Sequence, residues 1–311
     1  RLSLVPAVRM RRCTLSKRLR VALAATAVVT LGLSACTIGT DSADMPSPTL
    51  SNPLDDGPGG ASSDGKVVPG EMPREVVEAV KSAQKELGGL AGAALATPDK
   101  DSEVVATGDF KTGPAWSTSK VPIAVAYVRQ SGVDSLVEAA ITVSDNDAAE
   151  SMWYSLGDDA TAGATTDEIL REGHDTRTVM GTDRIRAEYT VFGQTQWDLR
   201  DQAIFGANLQ CIEAGPKVAD LMGQIADEQS YGLGRIRGAH FKGGWGPDDE
   251  GVYLVRQFGY LPGKKPGTFV GVAIAAQPDD GTYETGQQML DRIAKAIERS
   301  GGATTGRAGS C

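Results

Sequence analysis

At 311 residues with a formal charge of −9, the chain has an acidic surface, which argues against nucleic acid and against electrostatic attachment to anionic lipid. Its only histidines, His174 and His240, stand far apart, which leaves a zinc hydrolase without a ligand set and a Ser–His–Asp triad with few candidates. No Gly-x-Ser-x-Gly elbow, phosphate loop or dinucleotide fingerprint is present, so no metal or cofactor is expected, and a serine doing chemistry here would take lysine as its base.

Taken in order, the chain opens with a basic stretch (Arg9, Arg11, Arg12, Lys17, Arg18, Arg20), an apolar one from Val21 to Leu33, and the small residues Ser34 and Ala35. This is the organisation of a secretory signal over residues 1–35, with Met10 a candidate start; the apolar stretch is short of the ~20 residues that span a membrane. Leu33-Ser34-Ala35-Cys36 resembles a bacterial lipobox, which would make Cys36 the lipidated first residue of the mature protein and anchor it on the outer face of the cytoplasmic membrane through acyl chains. The alternative is an ordinary cleaved signal. Cleavage removes seven Lys/Arg and no Asp/Glu, taking the formal charge to −16. Of the remaining cysteines, Cys211 and Cys311 form an even pair in an oxidising compartment, so either a disulfide tying down the 301–311 tail or two unpaired thiols is expected.

Residues 36–71, rich in Ser, Pro, Asp and Gly, read as a flexible tether. The periodicity of Val76, Val77, Val80, Ala83 and Leu87 predicts a helix from Arg74 to Leu87, stopped at Gly88-Gly89. Strands follow at Leu90–Ala96 and near Val104–Thr107. Then come helices near Ser117, over Val137–Leu156, Thr166–Arg171, Trp197–Leu209 and Lys217–Ile225. Strands His240–Gly244, Gly251–Tyr260 and Thr268–Ala276 lead to a last helix, Thr285–Arg299. Segregated blocks of this kind indicate an α+β domain over residues 72–300, an antiparallel sheet flanked by N- and C-terminal helices with an inserted all-helical lobe.

The chemistry centres on Ser117-Thr118-Ser119-Lys120, which opens the apolar run Val121-Pro122-Ile123-Ala124-Val125-Ala126-Tyr127-Val128. Serine and lysine three apart share a face once a helix starts there, with Ser117 or Thr118 as its expected cap. Burial of Lys120 would favour the neutral amine, a base beside a nucleophile. Ser-x-x-Lys also occurs at Ser63–Lys66, in the tether, and at Ser82–Lys85, on a charged helix; only the third opens an apolar run.

Together, Ser117-Thr118-Ser119-Lys120, Ser144-Asp145-Asn146 and Lys242-Gly243-Gly244 resemble the Ser-x-x-Lys, Ser-Asp-Asn and Lys-Thr-Gly elements of penicillin-recognising serine enzymes, the class A β-lactamases and penicillin-binding proteins. The resemblance implies Ser117 as nucleophile, Lys120 as base, Ser144 as proton carrier to the leaving nitrogen, and Asn146 as a clamp on Lys120 and substrate. It also implies Lys242 as a positive charge that attracts an anion, and substrate binding along Gly243, Gly244 and Trp245, with the N–H groups of Ser117 and Trp245 as oxyanion hole. Asp145 reads as structural, bonding the local backbone. A literal Lys111-Thr112-Gly113 precedes Ser117, out of order, and reads as part of a connection.

Three departures shape the functional expectation. Gly243 stands where the family carries a hydroxyl that binds a substrate carboxylate. Only 27 residues separate Ser117 from Ser144, so the helical lobe is expected to be trimmed and one cleft wall open. No Glu-x-x-Leu-Asn occurs in 157–196; Arg186-Ala187-Glu188 is a partial echo, with Glu188 expected on the surface. A poor β-lactamase follows. The expected partner is a cell-envelope small molecule or peptidoglycan-type substrate, met either by a serine acyl-enzyme or by a β-lactamase-like lipoprotein that binds without turnover.

Overall fold

The computed structural model describes residues 71–99, 103–301 and 309–311. The signal, Cys36 and all but the end of the tether lie outside the described residues. Helix α1 (Arg74–Leu87) buries Val76, Val80 and Ala83, one turn apart as an amphipathic stripe requires. Its C-cap Gly88 sits at φ 76, a conformation that costs a side chain but not glycine.

A five-stranded antiparallel sheet follows. Its strands are β1 (Leu90–Ala96), β2 (Val104–Gly108), β5 (His240–Pro247), β6 (Tyr253–Pro262) and β7 (Phe269–Gln277), in the order β2-β1-β7-β6-β5. The two faces serve two cores. Ala91, Ala93, Leu95, Val255, Val270, Val272 and Ile274 pack with α1 and with α8 (Tyr283–Arg299). Ala94, Leu254, Phe258, Ala273 and Ala275 pack beneath the helical lobe. Strand alternation thus divides one sheet between two apolar layers, and it turns Lys242 and Gly244 of the edge strand β5 toward the lobe.

The lobe comprises α2 (Lys120–Ser131), α3 (Ser135–Glu138), α4 (Asn146–Leu156), α5 (Asp159–Glu172), α6 (Leu199–Asn208) and α7 (Gly215–Met222). The architecture is the expected α+β arrangement. Four departures from the sequence reading bear on the site. The helix expected over Val137–Leu156 is broken: α3 runs into a π-turn at Ala139–Val143, Ser144 adopts a left-handed φ of 63, and α4 restarts at Asn146. Asp145 causes the restart, accepting a 2.8 Å bond from the Ala148 N–H as an N-cap. Helix α5 begins well before Thr166 because Asp158 caps it through the Thr161 N–H. Trp197 lies in a short strand, β4 (Gln196–Asp198), and α6 starts only after Asp198 caps the Arg200 N–H. Lys111-Thr112-Gly113 is more than a connection: β3 (Thr112–Pro114) pairs antiparallel with β4.

The tail is tied down twice. Gly309 pairs with Phe269, and Cys311 is disulfide-bonded to Cys211 across 100 residues of sequence. Closing a loop of that length removes denatured-state entropy worth several kcal/mol. Cys311→Ser is therefore expected to lower unfolding free energy by roughly 2–5 kcal/mol in urea titration, and reduced wild type should match it.

Candidate active site

Ser117 lies in a single 3₁₀ turn, Trp116–Ser119, that feeds directly into α2 at Lys120. Neither Ser117 nor Thr118 caps the helix with its side chain, contrary to expectation. The Thr118 N–H bonds to Ala115 O, and the Lys120 N–H to the carbonyls of Ser117 and Thr118, so the turn supplies the acceptors that a cap would have provided. The Thr118 and Ser119 hydroxyls donate backward instead, to Ala115 O and Trp116 O. Trp116 itself sits at φ 49, a left-handed conformation that costs a bulky residue about 1–3 kcal/mol and persists only where its surroundings impose it. The Ser117 hydroxyl is half-buried and takes no hydrogen-bond partner among the described residues.

Lys120 is fully buried. Its Nζ donates to Ser144 O at 2.6 Å and Asn146 Oδ1 at 2.7 Å, with Ser144 Oγ at 3.4 Å. Burial lowers its pKa from 10.5 to about 7, against the opposing pull of Asp145 and Glu150. A neutral amine has two N–H donors and one lone pair. The two short contacts use both donors and leave the lone pair as a proton acceptor.

Lys242, also fully buried, donates to Ser144 Oγ at 2.8 Å and Gly243 O at 3.1 Å. Burial first, then the neighbouring Lys120, push its pKa well below the usual lysine range. The left-handed turn at Ser144 places its carbonyl on Lys120 and its hydroxyl on Lys242, so one residue joins both amines.

Gly244 and the nucleophile turn are in close approach. A Cβ on Gly244 would stand 2.8 Å from Ala115 O and 3.0 Å from the amide nitrogens of Ser117 and Thr118. Gly243 has room: its Cβ would meet Tyr231, Gln257 and Trp245 only at 3.7–3.8 Å. Trp245 packs on Tyr283 at 5.4 Å between ring centroids and also lines the cleft.

The cleft, about 340 Å³, is lined by Ser117, Asn146 and Trp245, by Trp116 and Tyr189 in edge-to-face contact, and by Asp147, Glu150, Glu188 and Arg184. Arg184 pairs with Glu150 at 3.2 Å. Glu188 is exposed, as expected from sequence, yet it lines the same cleft as Ser117 and lies 3.3 Å from Arg186. Arg186 donates to Pro247 O at 2.6 Å and sits 4.4 Å over the Tyr189 ring, tying the 173–195 loop to the end of β5.

Of the sequence-predicted residues, Lys120, Ser144, Asn146 and Lys242 form one hydrogen-bonded cluster beside the cleft that Ser117 lines. Cys211 and Cys311 lie outside it. Missed from sequence were the charged lining of the cleft and a buried polar chain behind the serine, Arg256–Gln202–Thr118. One signal for that chain existed, since Arg256 and Gln257 interrupt an otherwise apolar strand. Among the described residues no group of three or more His, Cys, Asp or Glu is placed to hold a metal.

No family profile matches the chain, and no curated protein matches it. Solved structures do. A class A β-lactamase from Mycobacterium abscessus aligns with a TM-score of 0.56 at 17% identity, covering 73% of this chain and 100% of that one. A β-lactamase from Sphaerobacter thermophilus aligns at 0.57 and 16%, covering 74% and 97%. A representative class A β-lactamase from Bacteroides cellulosilyticus aligns at 0.59 and 12%, covering 74% and 98%. With its antiparallel sheet, two flanking helices and inserted helical lobe, the chain has the fold of the penicillin-recognising serine enzymes.

Proposed function

We propose that the chain is an exported, lipid-anchored serine acyl-enzyme of the β-lactamase/penicillin-binding-protein type, acting on an amide or ester in the cell envelope. The observation that carries this reading is the desolvated Lys120 amine, held between Ser144 O and Asn146 Oδ1 beside the Ser117 cleft. Ser117 Oγ attacks the substrate carbonyl while its proton passes to the Lys120 lone pair. The tetrahedral oxyanion is met by the N–H groups of Ser117 and Trp245. As the intermediate collapses, the bond to the leaving nitrogen or oxygen breaks. That atom takes a proton from Ser144 Oγ, which recovers one from the lysine cluster.

The charge of the cleft refines the substrate. Burial drives both lysines toward the neutral amine, and the lining carboxylates outnumber Arg184. The anion attraction expected of Lys242 is correspondingly weak, and a neutral or cationic substrate suits this lining better than a carboxylate. Gly243, which offers no hydroxyl, points the same way. These two features also support the second reading, a β-lactamase-like lipoprotein that binds an envelope ligand without turning it over.

Intact mass after incubation with a fluorescent penicillin, and separately with a small neutral activated ester, tests the reading. Wild type is expected to gain a stable adduct from at least one probe and Ser117→Ala from neither. A folded wild type that takes up neither probe leaves the binding reading.

A further inference from the structure

Strand β6 carries Arg256 between Val255 and Gln257, opposite Gly244 on β5 and Ala275 on β7. Alternation turns it toward the helical lobe, where its guanidinium is fully buried. No carboxylate lies within ion-pair distance of it among the described residues. An uncompensated buried cation is costly unless its donors are used; here both Nη groups are engaged, and Nε alone finds no partner among the described residues. Nη1 donates to Gly113 O at 2.8 Å and Pro114 O at 3.0 Å; Nη2 donates to Trp197 O at 2.9 Å and Gln202 Oε1 at 2.7 Å.

Guanidinium has no acceptor, and this sets the polarity of everything downstream. Gln202 must offer Arg256 its carbonyl oxygen, so its amide N–H₂ faces Thr118 Oγ1, at 2.8 Å. The Thr118 oxygen is then engaged as an acceptor, and its proton goes to Ala115 O. Directly or through this chain, Arg256 holds the carbonyls of Gly113, Pro114 and Ala115, the three residues before Trp116. Chains of bonds with one polarity reinforce one another in a buried setting, and Trp116 is the strained left-handed residue that precedes Ser117.

We propose that Arg256, acting through Gln202 and Thr118, is a positioning residue for Ser117. The donor chain locks the 113–115 carbonyls and so imposes the left-handed turn at Trp116 that places the serine in the cleft. This rests on the reading of Ser117 as nucleophile, and the test separates the two.

Arg256→Met would orphan four buried acceptors and lose stability, so the deciding variant is Gln202→Glu. A carboxylate there keeps the volume and the bond to Arg256 but can only accept, so Thr118 turns its proton to it and leaves Ala115 O with the Thr118 N–H alone. Melting temperature, saturating acylation rate and apparent affinity are measured with whichever probe labels wild type. Gln202→Glu is expected to melt no lower than wild type, to bind the probe equally well, and to acylate roughly tenfold to a hundredfold more slowly. Thr118→Val should slow acylation similarly, Thr118→Ser should restore it, and the Gln202→Glu/Thr118→Val pair should be no slower than either single variant. Wild-type acylation rates in Gln202→Glu and Thr118→Val would overturn the positioning role while leaving the nucleophile in place. A wild type that takes no label would remove the nucleophile, and the positioning role with it.

Discussion

Lys120→Met is expected to slow acylation of Ser117 by about a thousandfold while raising the stability of the protein below neutral pH. The rate loss is the removal of a positioned general base, generally worth about 10²–10⁴. The stability gain follows from what the fold does to the amine. An unfolded chain holds the lysine proton up to about 10.5, whereas the folded protein releases it near 7. Below 7 both states are protonated, and the native state bears the whole cost of a buried ammonium, roughly 5 kcal/mol at about 1.4 kcal/mol per pKa unit. Between 7 and 10.5 the unfolded state binds more protons than the native one, so wild-type stability rises with pH across that window. Methionine fills the space without charge but leaves Ser144 O and Asn146 Oδ1 without their donor, which offsets part of the gain. The net expectation is a variant roughly 1–3 kcal/mol more stable at pH 6, with the advantage shrinking toward pH 10. Urea titrations at several pH values check this. Wild-type acylation should rise through an apparent pKa of about 7 as the amine loses its proton. A pH-independent wild-type rate would mean that Lys120 is not the base.

The parts of this site that were legible in the sequence are local. Ser117 and Lys120 are three residues apart at the mouth of an apolar run, and Asp145 bonds the local backbone, as its side-chain chemistry suggests. Each arrangement follows from spacing and side-chain chemistry over a few residues. Lys242 was placed by the order of the three motifs along the chain. The rest is set by contacts that no short window contains. Arg256 reaches carbonyls 142 and 143 residues away, and Gln202 reaches Thr118 across 84. The Arg186 bridge to Pro247 spans 61 residues. The break at Ser144 was hidden for a different reason. Val137 to Leu156 keeps helical periodicity, and only the π-turn shifts the register so that Ser144 meets both lysines. The β3–β4 pair was missed because a three-residue strand carries too little alternation to register as a pattern.

Gly244→Ala is expected to lower acylation by about a hundredfold or more, and Gly243→Thr, one residue away, to leave the fold intact. The contrast comes from strand alternation. A methyl on Gly244 points at the nucleophile turn and meets Ala115 O at 2.8 Å and two amide nitrogens at 3.0 Å. All three are backbone atoms that cannot swing aside. Either β5 withdraws or the Trp116–Ser117 turn is pushed back, and a displacement near 1 Å is enough to cost a hundredfold in rate; overpacking adds about 1–3 kcal/mol of destabilisation. The same push loads Ala115 O, the terminus of the Arg256–Gln202–Thr118 chain, so the nucleophile turn is squeezed between β5 and its own support. A Cβ on Gly243 meets ordinary contacts at 3.7–3.8 Å instead, and threonine suits a strand. Gly243→Thr should therefore lose less stability than Gly244→Ala in urea titration. If the hydroxyl does in this protein what the family resemblance implies, the variant should acylate faster with a carboxylate-bearing penicillin, by about tenfold for one charge-assisted hydrogen bond, and show no gain with a neutral ester. Equal gains with both probes would mean that the new hydroxyl acts on the cleft rather than on the carboxylate. A Gly244→Ala variant that acylates at the wild-type rate would show that the close approach of β5 to Ser117 is not what holds the nucleophile in place.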